Sequence, residues 1–106
     1  MVARGDIWLV ALDPTIGSEI QKTRPCIVVS PADINGAGRT FLVVPMTTGS
    51  RPAPFRPPIA FQKKTGFILT DQIRTVDRKR LIKRMGRIDS ANLKVVLATL
   101  REMFAV

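Results

Sequence analysis

Apolar residues fall along this chain in short blocks separated by polar, proline-rich or glycine-rich stretches. Residues 7–12 (IWLVAL) form the first block, stopped by Asp13-Pro14, and read as a buried strand. Residues 13–24 are a polar loop carrying Pro14, Gly17, Ser18, Glu19 and Lys22. A second β-branched run covers residues 25–30 and ends at Pro31. Turn chemistry follows at Asn35, Gly36 and Gly38, and residues 41–46 make a third strand. Residues 47–58 hold Pro52, Pro54, Pro57 and Pro58 beside Arg51 and Arg56. Neither a helix nor a central strand tolerates that density of proline, so this stretch reads as a long exposed loop.

Residues 66–76 predict one further strand, its apolar character broken by Asp71 and Arg74, and residues 82–88 one or two short strands around Gly86. The period then changes. Leu93, Val96, Leu97, Leu100 and Phe104 recur at helical spacing, and Asp89 or Ser90 stands ready as the cap. Five or six short strands before one C-terminal helix predict a mainly β domain, a small barrel with a helix packed on it. Residues 1–106 make a single domain, without internal repeats or a linker.

Composition sharpens this picture through charge. Seventeen Lys and Arg oppose eight Asp and Glu, a net charge of +9. A polyanion or an acidic protein is the natural partner of such a surface. Six of those basic residues crowd into positions 78–87: Arg78, Lys79, Arg80, Lys83, Arg84 and Arg87. They read equally as a solvated face or as a contact track. Trp8, inside an apolar run, reads as core rather than as a stacking platform. No stretch approaches membrane-spanning length and no signal peptide opens the chain, so the cytoplasm is the expected compartment.

The chain contains no histidine and one cysteine, Cys26, which reads as a small core side chain. Ser-His-Asp triads, Cys-His pairs and histidine acid–base couples are thereby excluded, as is a zinc site. Scattered single acids make a poor two-metal centre, so no metal and no cofactor is expected. Arg, Thr, Ser, Asp and Glu remain, and they suffice for one reaction. The 2′-hydroxyl of RNA can attack its own adjacent phosphorus. A protein then needs only to align the phosphate, neutralise its developing charge and move protons. The planar fork of arginine suits the phosphate, and one carboxylate can take the proton.

Several segments in order resemble the MazF/PemK/Kid toxins: Arg4-Gly5-Asp6-Ile7-Trp8, then Leu12-Asp13-Pro14 with Gly17-Ser18-Glu19 and Arg24-Pro25, then Pro45-Met46-Thr47, then Asp71 through Asp77. The resemblance spans nearly the whole chain. It implies an SH3-like antiparallel barrel with a C-terminal helix, assembled as a homodimer. It implies ribosome-independent, sequence-selective cleavage of single-stranded mRNA, without a metal, leaving 2′,3′-cyclic phosphate and 5′-hydroxyl ends. It also implies an antitoxin whose flexible acidic segment covers the RNA site.

Residue by residue, Arg24 matches the family's catalytic arginine and Thr47 its catalytic threonine or serine. Glu19 matches a carboxylate acting as base in some members, and Asp71 an acid used in one branch. RNA contacts then fall to Ser18, Lys22, Thr48, Arg51, Arg56, Gln72 and Arg74, with residues 51–56 as a lid. Asp71 can alternatively bond the backbone or pair with Arg74. The chain departs from the family pattern at four places. Ser18 and Thr23 stand where some members have histidine, Leu69 where one branch has an arginine paired with the Asp71 position, and Ile20 where many have glutamine. Two rival readings are a toxin of the same fold that binds DNA gyrase and a non-catalytic SH3-like binding module. The gyrase-binding branch ends Trp-Gly-Ile, whereas this chain ends Phe104-Ala105-Val106.

Overall fold

The first apolar run becomes β1 (Asp6–Ala11), an inner strand of an antiparallel arrangement that the computed structural model describes over all 106 residues. β2 (Thr23–Val28) pairs with β1, placing Ile7 opposite Ile27 and Val10 opposite Arg24. β3 (Thr40–Thr47) lies on the other side of β2, with Cys26 opposite Pro45. Four more strands complete the sheet: β4 (Pro58–Phe61), β5 (Lys64–Ile68), β6 (Arg74–Asp77) and β7 (Leu81–Arg87). Their order is β4-β5-β3-β2-β1-β7, and β6 also pairs with β3. β3 therefore serves two partners along one edge, β6 at Thr40–Val43 and β5 at Met46 and Thr47. A strand shared in this way bends the sheet, and the result is a curled half-barrel. A one-turn helix, α1 (Ala32–Asn35), and a C-terminal helix, α2 (Ser90–Met103), complete the chain.

Both faces of the central strands are buried, which is why their sequences read as near-continuous apolar runs. Ile7, Ile27, Val44, Met46 and Ile68 point to one side and pack under Val96 and Leu100 of α2. Val10, Cys26, Val28, Phe41, Val43 and Val76 fill the other side with Trp8, Ile20 and Leu81 against them. The expected core role of Cys26 holds, while Trp8 is half-buried and packs against that core from its edge. Burial pushes the Cys26 thiol up to about 12, so it is inert as a nucleophile at neutral pH. The helix begins where expected, and Asp89 caps it by accepting from the Asn92 amide at 3.1 Å.

Three local expectations change. The proline-rich loop ends one residue early, at Pro57, and residues 58–68 form a hairpin instead of loop and late-starting strand. Its turn residues Gln62 and Lys63 both take positive φ, 52° and 64°, a conformation usually signalled by Asn or Gly and here carried by neither. Pro58 fits because it opens an edge strand, where a missing N–H costs no ladder bond. The strand expected over residues 66–76 is broken by a 3-10 turn at Thr70–Gln72, so Asp71 sits on a turn and not in a strand. The turn is pinned from below: buried Thr70 donates its hydroxyl to the Phe55 carbonyl of the proline-rich loop. Finally, α1 occupies part of the glycine-rich turn, where buried Asn35 donates to the Ser30 carbonyl at 2.7 Å.

Candidate functional site

Two open clefts lie at the mouth of the half-barrel, and they divide the expected site residues between them. The first encloses about 190 Å³ between the start of β2, the end of β3 and the β4–β5 hairpin. Arg24 and Thr47 both line it. Continuing the β2–β3 register two residues beyond Cys26 and Pro45 brings these side chains opposite each other. Arg24 is half-buried, and its Nε donates to the Gln21 carbonyl at 3.2 Å, which leaves the two terminal nitrogens of the fork without a protein partner. Thr47 Oγ1 accepts from the Gly49 amide at 3.1 Å, so its hydroxyl hydrogen remains available to donate. Thr48 joins them at the rim.

The far wall of this cleft comes from residues that sequence reasoning missed: Phe61, Gln62, Lys64 and Thr65. They belong to the hairpin whose turn carries no recognisable signal, so nothing in the sequence assigned them to a wall. Gly66 lets the hairpin approach so closely, because a Cβ there would sit 2.3 Å from the Thr47 carbonyl oxygen.

The second cleft is larger, about 710 Å³, and more polar. Ser18, Glu19 and Ile20 of the β1–β2 loop face Arg56 of the β3–β4 loop, with Asp71, Gln72 and Arg74 between them. The Arg56 fork grips Asp71 with both arms, Nε to Oδ1 at 2.9 Å and Nη2 to Oδ2 at 2.7 Å. Its Nη1 donates to Ser50 Oγ at 2.9 Å. Hydrogen bonds from Arg56 hold the Asp71 carboxyl below the ordinary aspartate range, and the same bonds raise Arg56. Asp71 thus pairs with Arg56 and not with Arg74, whose Nη1 instead donates to the Leu12 carbonyl at 3.1 Å. Gln72 Oε1 accepts from the Ile20 amide at 2.6 Å, tying the β1–β2 loop to the 3-10 turn. Glu19 is exposed, with Oε1 accepting from the Ile16 amide at 2.8 Å and no cation paired to it.

Lys22 and Arg51 are exposed and line neither cleft. The basic run over residues 78–87 splits by role. Arg84 and Arg87 neutralise buried Asp6 at 3.4 and 3.3 Å, and Arg80 donates to the carbonyls of Ala11 and Asp13. Arg78, Lys79 and Lys83 remain exposed. The clefts are linked by the chain itself, since each draws on the same two loops. The β3–β4 loop runs from Thr48 in the first to Arg56 in the second, and the β1–β2 connection from Glu19 in the second to Arg24 in the first. Together they present donors suited to successive phosphates of a single strand.

The sequence model of the family described as PemK-like, MazF-like toxin of type II toxin–antitoxin systems matches residues 3–104. The chain is 43% identical over 103 residues to endoribonuclease PemK of Escherichia coli, covering 92% of this chain and 77% of that protein. It is 35% identical over 95 residues to the endoribonuclease toxin MazF of Escherichia coli strain K12, covering 89% of this chain and 86% of that protein. Among solved structures, MazF from Deinococcus radiodurans superposes with a TM-score of 0.86 at 24% identity, over 99% of this chain and 97% of that one. An endoribonuclease in complex with its cognate antitoxin, from a mycobacterial species, superposes with a TM-score of 0.79 at 20% identity, over 96% and 93%. The expected barrel is therefore the fold these proteins share.

Proposed function

The chain belongs to the PemK-like, MazF-like toxins of type II toxin–antitoxin systems, and from that premise we propose that it is an endoribonuclease that cuts single-stranded RNA through the Arg24–Thr47 cleft. The observation that carries this reading is one cleft lined by both a half-buried arginine, its terminal nitrogens unengaged, and a threonine hydroxyl free to donate. Arg24 places two donors on the scissile phosphate, and Thr47 adds a third. The 2′-oxygen attacks phosphorus, the bond from phosphorus to the 5′-oxygen breaks, and a 2′,3′-cyclic phosphate forms. The departing 5′-oxygen takes a proton from solvent water and leaves as a hydroxyl. Glu19, an exposed carboxylate without a cationic partner, lines the neighbouring cleft on the loop that leads to Arg24, and it takes the 2′-hydroxyl proton when that loop carries it to the bound strand. Asp71 is weakened as a base, because Arg56 stabilises its anion. Ser18, Thr48, Gln72 and Arg74 line the path of the strand, with Gln72 holding the β1–β2 loop in place.

The reaction as assigned uses no metal, cofactor or ribosome. The hairpin wall of Phe61, Gln62 and Lys64 supplies stacking and edge contacts to a splayed base, which makes cleavage sequence-selective. The net charge of +9 suits both the substrate and the acidic segment of a cognate antitoxin. As the family membership suggests, the protein works as a homodimer in the cytoplasm. No helix is long and apolar enough to cross a membrane. Purified protein free of antitoxin, given a long single-stranded RNA with EDTA and no ribosomes, is expected to leave discrete fragments with 5′-hydroxyl ends at one short sequence. Intact RNA from demonstrably folded protein would move the assignment to a non-cleaving toxin or a binding module.

A further inference from the structure

Arg56 and Asp71 are the most firmly joined pair of side chains in either cleft, and they come from different elements. The fork is not used up by this pairing. A guanidinium carries five N–H donors. Asp71 takes one from Nε and one from Nη2, and Ser50 takes one from Nη1, so two remain. The pair faces a cleft of about 710 Å³ open to solvent, with the Arg56 and Asp71 side chains 24% and 40% exposed. Leu69, just before the turn, is buried and apolar, so the charge beside Asp71 reaches it only from the proline-rich loop. The Arg56–Ser50 bond braces that loop internally, and the bond from Thr70 to the Phe55 carbonyl anchors it to the 3-10 turn. An arginine tethered at three atoms loses little side-chain freedom on binding, which favours contact with a fixed oxyanion.

We propose that Arg56 is an RNA-contacting residue that holds a phosphate neighbouring the scissile one, and that Asp71 is its positioning residue and takes no part in proton transfer. The proposal rests on the reading of the chain as an RNA-cleaving enzyme. The loop carrying Arg56 leaves the first cleft at Thr48, so a strand seated on Arg24 and Thr47 and running along this loop meets Arg56 with a flanking phosphate. Uniform binding of a flanking phosphate lowers KM without raising kcat.

The test has two arms on the full-length protein. In the cleavage arm, Arg56→Gln is expected to raise KM about tenfold, the loss of one charge-assisted contact, with a far smaller effect on kcat. Arg56→Lys, which keeps charge and loses the fork, should fall between the two and stands in if Arg56→Gln does not fold. Asp71→Asn should raise KM about threefold, Asp71→Glu should recover part of that, and Arg56→Gln/Asp71→Asn should be no worse than Arg56→Gln alone. In the binding arm, a short single-stranded oligonucleotide with 2′-deoxy sugars, which cannot be cut, is titrated at several salt concentrations. Arg56→Gln should lower the slope of log affinity against log salt by about 0.7, one phosphate contact. A wild-type KM and slope in Arg56→Gln would overturn the proposal. So would a large fall in kcat at unchanged KM in Asp71→Asn, which would put Asp71 in the chemistry. A changed cutting sequence with an unchanged slope would make Arg56 a base reader and overturn it equally. Wild-type protein that binds the oligonucleotide but cuts no RNA would defeat the nuclease reading, while a reduced slope in Arg56→Gln would still support the phosphate contact.

Discussion

Arg24 and Asp71 show how far a residue's type can stand from its role. Arg24 has a single bond, through Nε, and keeps its terminal donors open. Arg24→Ala should therefore cut the cleavage rate by at least about 100-fold, as the loss of an oxyanion donor does, with the melting temperature nearly unchanged. Cleavage at the normal rate by folded Arg24→Ala protein would remove Arg24 from the mechanism. Asp71 is the reverse case, a carboxylate already satisfied, and this has a pH signature. Hydrogen bonds from Arg56 lower its value below the ordinary 3.8. The folded state thus holds the anion more tightly than the unfolded chain does. Its stabilisation is fully present above pH 3.8 and is lost as the pH falls through the lower folded value. Solvent screening keeps the effect below about 1 kcal/mol. The melting-temperature gap between wild type and Asp71→Asn should be constant near neutrality and close in acid below that value. A gap unchanged down to acid would mean that the ion pair stabilises nothing. The residue types that can handle phosphate were legible in the sequence, because the absence of histidine left few alternatives. Which acid was free and which was engaged was not, because that depends on Arg56 arriving from a proline-rich loop.

At the scale of elements, β3 carries the site, and what packs against its end matters most. β5 crosses there at Gly66, where an added Cβ would lie 2.3 Å from the Thr47 carbonyl oxygen, a backbone atom that cannot yield. Gly66→Ala is expected to destabilise by about 1–3 kcal/mol, as overpacking does. It should also slow cleavage by displacing Thr47. Thermal unfolding and the cleavage rate read the two effects separately, and a variant unchanged in both would show that the close approach is not required. The elements with strong periodicity, β1, β2, β3 and α2, could be read directly from their apolar spacing. The β4–β5 hairpin could not, because Gln62 and Lys63 adopt the turn without Gly or Asn. The break at Thr70–Gln72 was hidden for a similar reason. It is enforced from outside, by the Phe55 carbonyl, and not by any breaker in its own sequence.

Over the whole molecule, the net charge of +9 acts at longer range than any single contact. RNA affinity should fall steeply as salt rises from roughly 50 to 200 mM, through counterion release. Cleavage at subsaturating RNA should fall with it, while kcat changes little. A KM insensitive to salt would show that the charge serves a partner other than RNA. The sequence by itself determined the strand-rich class, the C-terminal helix, the exclusion of histidine and thiol chemistry, and the family. Each of these is written in local spacing, residue type or the order of short motifs. Only the tertiary structure decided that Arg24 and Thr47 line one cleft, that Glu19 lies with Asp71 in a second, and that Asp71 is bound to Arg56. Those relations depend on strand register and on the path of two loops, so residues distant along the chain are brought together by cooperative packing that no single segment encodes.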